Sequence, residues 1–172
     1  MRKSSISKGE YGDFYQRYIH LAGDGSIHSE LKNSGERIYK LFAALSSEEW
    51  ERRYAPEKWS LKEMLCHIID TERVFSFRAF WVSRSSEIAL PGFDQDAFLL
   101  QSGVEHRTTD SLLSEYHDVR SQTRKLFESF SEEQLLRTGE ASGAPLSVRA
   151  AGYIICGHEQ WHLQIVKDRY LH

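Results

Sequence analysis

The sequence predicts an all-α fold, a four-helix bundle with a short N-terminal helix and a long loop between its second and third helices. Three observations predict it. Apolar residues recur at helical spacing in four long segments, helix-start signatures of the Ser-x-x-Glu/Gln or Ser/Thr type open most of them, and no segment of strand period competes. Helices with one apolar stripe each bury those stripes against one another, and side chains from facing helices then meet in the bundle interior.

Residues 1–25 read as an arm, in which Gly9, Gly12, Gly23 and Gly25 interrupt polar sequence around an aromatic-rich piece at 11–19. It is expected to pack a short helix onto the body, residues 26–172. Ser26 caps the first long helix, marked by Ile27, Leu31, Ile38, Leu41, Phe42 and Leu45, and Ser46-Ser47-Glu48-Glu49 opens a further turn. Residues 54–59, with Pro56, break the period, and Ser60-Leu61-Lys62-Glu63 is a capping box that starts a second helix running from about Leu61 to Arg84. Leu61, Met64, Leu65, Ile68, Ile69, Phe75, Ala79 and Phe80 make its apolar face. Glu63, His67, Asp70, Thr71 and Arg78 make a polar stripe, which spacing alone reads as solvated.

Residues 91–98 form a turn-rich loop with two acids, Asp94 and Asp96, and two aromatics, Phe93 and Phe98, so they are either a lid or a packed connection. The third helix starts near Thr108 and carries Leu112, Leu113, Tyr116, Val119, Thr123, Leu126, Phe127 and Phe130 along one seam. Ser131-Glu132-Glu133-Gln134 opens a short helix, residues 139–145 read as a flexible loop, and the fourth helix runs from about Ser147 to Tyr170.

The fourth helix holds the strongest chemical signal. His158 and His162 stand four residues apart, hence on one face and one turn apart, where both imidazoles can reach a single metal ion. Val148, Ala151, Ile154, Ile155, Trp161, Ile165 and Val166 share or flank that stripe, while Arg149, Gln160, Gln164 and Lys167 lie opposite, so the pair points into a core. An imidazole buried there without a partner costs about 1–3 kcal/mol, so each needs a hydrogen bond or a metal. Ordinary hydrogen-bonded histidines are the commoner outcome for such a pair. A third ligand would come from another helix, and spacing leaves His28, His67 and His117 open.

The 172 residues, 40% hydrophobic and 27% charged, suit one soluble domain. A net charge of −3 gives no electrostatic reason to bind nucleic acid or anionic membrane, and no long apolar run or secretory signal is present, so a cytoplasmic location is expected. Cys66 and Cys156 form no CxxC. Their helical offsets from the neighbouring histidines turn both thiols away, which marks them as packing residues.

Trp59-Ser60, Glu63, His67, Asp70 and Glu72, in the pattern W-S-x-x-E-x-x-x-H-x-x-D-x-E, followed by Pro91-Gly92-Phe93-Asp94-Gln95-Asp96 and then by Gly157-His158-Glu159-x-x-His162, resemble the DinB-like superfamily from about residue 15 to residue 171. The resemblance implies a four-helix bundle that holds a divalent metal through His67, His158 and His162. Related sequences commonly end the motif G-H-E-x-H-H. Trp161 replaces the first histidine of that final pair here, which leaves the ligand set intact and changes the shape of the pocket.

The superfamily includes transferases and isomerases that use bacillithiol or mycothiol, metal-dependent hydrolases, and members of no known activity. The resemblance therefore implies a metal-dependent enzyme, a thiol-dependent S-transferase or a hydrolase, acting on a small electrophile. Three neutral imidazoles leave the ion its full charge and an open position, so a bound water or thiol could ionise near pH ~7. Zinc or nickel is the expected metal and a low-molecular-weight thiol the expected co-substrate. Asp70, one turn after His67, is expected to orient that imidazole or to handle a proton. Arg78 and Trp161 are candidate substrate-binding residues, although a surface ion pair is the commoner fate of an arginine on such a stripe. A homodimer is expected because DinB-like bundles often pair and the chain is rich in aromatics, 12%. The competing reading is a stress-associated metal-binding bundle without turnover.

Overall fold

A computed structural model describes residues 2–85, 87 and 89–171. Its elements are helices α1 (Gln16–Leu21), α2 (Ile27–Ala43), α3 (Ser47–Glu51), α4 (Leu61–Arg84), α5 (Gln95–Leu100), α6 (Thr109–Glu128) and α7 (Glu132–Leu136), strands β1 (Thr138–Ala141) and β2 (Ala144–Ser147), and helix α8 (Val148–Arg169). The start signals work as their chemistry requires. Ser60 Oγ accepts the Glu63 N–H at 3.2 Å while Glu63 Oε2 accepts the Ser60 N–H at 2.6 Å, a reciprocal cap that satisfies two donors α4 would otherwise leave bare. Ser26, Thr108 and Ser147 cap α2, α6 and α8 in the simpler one-bond form.

The four long helices form the bundle. α2 packs on α6 and α8, and α4 packs on the same two, so the consecutive helices α2 and α4 face each other across the diagonal, as do α6 and α8. Each diagonal step needs a connection across one end of the bundle. α3 with residues 52–60 makes the first crossing, and α7 with the β1–β2 hairpin makes the second. The consequence for function is that α4 and α8, distant in sequence, run side by side. No helix among the described residues is long and apolar enough to cross a membrane.

Two apolar clusters fill the bundle. Along α4 one takes Leu61, Leu65, Ile68 and Ile69 and the other takes Phe75, Ala79 and Val82; along α8 the corresponding groups are Leu163 and Val166, and Ala151, Ile154 and Ile155. At the changeover lie buried polar residues, His67, Thr71 and Glu72 on α4 and His158, Glu159 and His162 on α8.

Several sequence expectations need correction. Residues 139–145 belong to an antiparallel hairpin rather than a flexible loop, with Thr138 opposite Ser147 and Ala141 opposite Ala144. Its two-residue turn holds Ser142 at φ 55° and Gly143 at φ 72°, the double positive φ that matches the twist of a tight hairpin. Leu90 pairs with the hairpin's edge through Leu90 N–H to Glu140 O and Ser142 N–H to Leu90 O, both 2.9 Å. The 91–98 loop contains the start of α5, whose first N–H groups, of Asp96 and Ala97, are accepted by Asp94 Oδ1 at 2.9 and 3.1 Å. Phe80 is 43% exposed rather than core.

Arg149, placed by spacing on the outer face, is buried under the arm. Its Nε and Nη2 donate to Glu10 Oε2 and Oε1 at 2.7 and 2.6 Å. The arm's helix α1 lies directly against α8, and a side chain at Gly157 would collide with the backbone carbonyl of Tyr18. Glycine at 157 is what lets the two backbones approach this closely.

Candidate metal centre

The diagonal arrangement brings α4 and α8 together, and with them three histidines. His158 Nε2 lies 2.9 Å from His67 Nε2 and 3.0 Å from His162 Nε2, and all three rings are buried. The four-residue spacing of His158 and His162 sets two rings on one face of α8, and His67 meets them from α4. His28 and His117 are exposed and stand apart from this group, so of the three candidates left open by spacing the fold selects His67. The Tyr18 ring packs edge-on to His158 at 5.3 Å, and the Trp59 ring lies tilted against His67 at 4.7 Å.

Burial penalises the charged imidazolium. It pulls His67 down to about 4 and, helped by the neighbouring His67 charge, His162 to about 3; His158 falls well below its ordinary range for the same reason, with His162 and His67 adding to it. At neutral pH the trio is therefore three neutral rings with lone pairs available. Among the described residues no carboxylate hydrogen-bonds to any of them, and His162 Nδ1 is buried without a partner. The fit to a cation is good. Two nitrogens bonded at about 2.1 Å to a tetrahedral ion stand about 3.4 Å apart, so the rings, at 2.9 and 3.0 Å, need to part by about half an ångström to admit one.

Two cavities reach the trio. One of about 420 Å³ is lined by His67 and His158 with Tyr18, Thr71, Phe75, Phe93 and Ile154. The other, about 360 Å³, is lined by His162 with Trp59, Met64, Lys58 and Tyr170, and Gln95 borders both. Residues 92–96 thus sit at the mouths. A larger groove, about 770 Å³ between α4 and α6, contains none of the three histidines, so size does not locate this site.

The remaining candidates are placed as follows. Asp70 makes no hydrogen bond to His67. Its carboxylate lies 3.9 Å from Arg73, with Glu115 and Arg107 as its other charged neighbours, so it belongs to the α4–α6 side of its helix. Thr71 occupies the position Asp70 was expected to fill: it lines the cavity with His67, and its buried hydroxyl has no partner. Its signal in the sequence is the i, i+4 spacing from His67. Trp161 is half-buried beneath the Arg17 guanidinium, 5.6 Å from its ring, and lines neither cavity. Arg78 forms no surface ion pair and is fully buried behind the larger of the two cavities.

Glu63 is spent on the α4 cap and on Arg53. Glu72 and Glu159 enter a second buried cluster that periodicity did not reveal. Arg120 donates to Glu72 at 2.9 and 2.8 Å, to Glu159 at 2.6 Å, and to Ser34 and the Leu31 carbonyl, while the Tyr116 hydroxyl donates to Glu159 at 2.5 Å. Its signal was Arg120 itself, four residues after Tyr116 and three before Thr123 on the buried seam of α6.

Fold and site together define a class, a diagonal helical bundle in which one histidine of the second long helix joins two of the fourth. The chain belongs to the DinB superfamily, whose family model matches residues 30–166. Among solved structures it is similar to YfiT from Bacillus subtilis, a probable metal-dependent hydrolase with an unusual four-helix bundle topology (14% identity, TM-score 0.66, 95% of this chain and 87% of that one). It is also similar to the mycothiol-dependent maleylpyruvate isomerase (10%, 0.64, 81% and 58%) and to YjoA, a DinB-like protein from Bacillus subtilis (20%, 0.59, 86% and 92%). At these identities the likeness is one of fold. No curated protein sequence matches the chain.

Proposed function

We propose that this protein is a metal-dependent enzyme in which His67, His158 and His162 hold one divalent ion, zinc or nickel, and a low-molecular-weight thiol is transferred to a small electrophile. The observation that carries the reading is the convergence of three buried, neutral Nε2 atoms at a point that two separate cavities reach. A bound ion would supply a Lewis acid that brings the pKa of a coordinated thiol or water toward neutrality. Two cavities suit two reactants. Hydrolysis, the second reading, needs only one of them and is supported by the likeness to YfiT.

The chain's own residues supply position and dryness. Tyr18, Phe75 and Ile154 wall the larger cavity with apolar surface, which strengthens any electrostatic interaction inside it. Thr71 offers a buried, uncommitted hydroxyl one turn from His67, placed to orient a ligand's polar atom. Its replacement, Thr71→Val, is expected to weaken thiol or substrate binding several-fold while metal content stays unchanged.

The first test is metal analysis of protein purified without a histidine tag. About one ion per chain is expected, and each of His67→Ala, His158→Ala and His162→Ala should remove most of it; full metal content in the triple variant would sink the assignment. The metal-loaded protein is then assayed with thiols plus electrophilic acceptors, and separately with esters and amides. Silence in both, with the ion saturated by protein ligands, would favour a metal-binding bundle without turnover. Pairing of two chains is part of the proposal, and light scattering that finds only monomer at micromolar concentration counts against it.

A further inference from the structure

Arg78 lies three turns beyond His67 on α4 and is 2% exposed. The other well-buried guanidinium groups have carboxylates: Arg120 meets Glu72 and Glu159, and Arg149 meets Glu10. Arg78 has none within ion-pair distance among the described residues. Its Nη2 donates to the Pro91 carbonyl and to Ser142 Oγ, both at 2.8 Å, and its Nη1 is buried with no partner. The rings of Phe75 and Phe93 lie 5.0 and 5.8 Å from its Cζ. A charge buried without a counter-ion is strongly unfavourable, and two aromatic faces offset only part of that penalty.

Several neighbours of this cation line the cavity, and the guanidinium itself lies one layer behind that wall. Phe75, Phe93 and Ser142 all line the 420 Å³ space that reaches His67 and His158, as does Gly92 beside Pro91. Ser142 presents its hydroxyl from a φ of 55°, which suits the hairpin turn but costs a residue other than glycine, at the point where the turn meets Arg78. The one acid on the cavity wall, Asp94, has its Oδ1 engaged by the N–H groups that start α5. Pro91 and Gly92, which cover the guanidinium, are themselves exposed.

We propose that Arg78 is the anion receptor at the far end of the metal cavity, and that the enzyme's ligand carries a carboxylate or similar oxyanion at the end opposite its metal-seeking group. Eleven helical steps separate the Cα atoms of His67 and Arg78 by about 16 Å, so the ligand is an extended small molecule rather than a compact one. The anion completes the hydrogen bonding of Nη1 and neutralises the buried charge. This inference rests on the metal reading for its second anchor.

The test uses untagged protein loaded with cobalt(II), whose visible absorption reports the metal and whose thiolate charge-transfer band reports thiol binding. It is titrated with a series of ω-mercaptocarboxylates of increasing length and with the matching mercaptoalcohols. At the best length the acid should bind about tenfold tighter than the alcohol, since hydrogen bonds to charged groups are the strong ones. Arg78→Gln should abolish that preference and leave alcohol binding as it was. Should Arg78→Gln fail to fold, Ser142→Gly is read instead. It removes a competing acceptor and relieves the turn, so acid binding should strengthen several-fold, and no change or a weakening overturns the proposal. Cobalt and thiol binding without a carboxylate preference, or a preference that survives Arg78→Gln, overturns this proposal and leaves the metal reading standing; absence of cobalt binding overturns both.

Discussion

Two buried polar clusters share α4 and α8, and they are built on opposite principles. The Arg120 cluster finds opposite charge within the protein: one guanidinium is bracketed by Glu72 and Glu159 and further held by Ser34 and the Leu31 carbonyl, with Tyr116 as a second partner of Glu159 Oε1, and only Glu159 Oε2 is left without a hydrogen bond. The histidine cluster next to it pairs like with like. His158 precedes Glu159 by one residue, yet its ring faces two other imidazoles and no opposite charge. The first cluster sets a cation between two carboxylates and ties together α2, α4, α6 and α8; the second holds three neutral rings with no opposite charge among them. Burial alone does not distinguish structure from site, whereas the chemical complementarity of the buried groups does.

The widest expected separation between the two is in stability. Arg120→Met leaves two carboxylates buried without their cation and should cost about 3–5 kcal/mol. His158→Ala in metal-free protein removes a ring that burial already disfavours, and the cavity it leaves should cost about 2 kcal/mol or less. Urea denaturation of the metal-free variants measures both. Equal losses would mean that the trio is as structural as the Arg120 cluster.

Acid comes next. Folded His67 and His162 titrate near 4 and 3 against an ordinary 6.5, so between those values the unfolded chain binds protons that the folded chain refuses. Stability of the metal-free protein is then fully present above about pH 6.5 and falls steadily as pH drops toward 4, because the state that binds more protons is favoured by acid. Urea midpoints at pH 7.5, 6 and 5 should decline in that order, and His67→Ala/His162→Ala should flatten the slope. An unchanged slope in the double variant would place the acid sensitivity elsewhere.

The arm gives a smaller effect. Burial by itself pushes the Glu10 carboxyl up, but hydrogen bonds from Arg149, the Ser7 N–H and Ser147 outweigh it and hold the group at about 2. Its contribution is complete above the ordinary 4.5 and lost as pH falls through about 2, a window well below that of the histidines. Glu10→Gln at neutral pH should cost about 1 kcal/mol and quicken hydrogen exchange in α1, which covers His158 through Tyr18. Unaltered exchange there would mean that α1 is held by its packing on α8 alone.

These clusters differ as much in legibility as in chemistry. The helix starts could be read directly, because a Ser-x-x-Glu cap is a local hydrogen-bond pattern that needs no partner element, and Ser60 with Glu63 forms it as expected. The His158 and His162 pair was visible for the same reason: i, i+4 spacing is geometry within one helix. His67 was not, since it stands on a stripe with Glu63, Asp70, Thr71 and Arg78 that spacing reads as solvated, and only family resemblance singled it out. Periodicity says which face of a helix differs, not which neighbour covers it, and here α8 reaches α4 across a diagonal topology. The hairpin escaped notice because four-residue strands are too short to show alternation, although the Ser142-Gly143 turn was its trace.

The smallest expected effect concerns Asp70, which on the residue pattern belonged with the trio and in the fold stands apart from it. Burial pushes its carboxyl up, Arg73 pulls it down and Glu115 pushes it up again, so its electrostatics are those of the α4–α6 surface. Were it the hydrogen-bond partner of His67, Asp70→Asn would reduce metal affinity about 10–100-fold. From where it sits, the change should alter metal affinity by less than about threefold and stability by less than about 1 kcal/mol, because the lost pairing with Arg73 is long and only partly shielded from water. A competition titration with a chromophoric chelator separates the two outcomes. A tenfold loss would show that α4 turns on metal binding and draws Asp70 to His67, and the contrast between a self-sufficient cluster and one that recruits its partners would then extend one turn further along the helix.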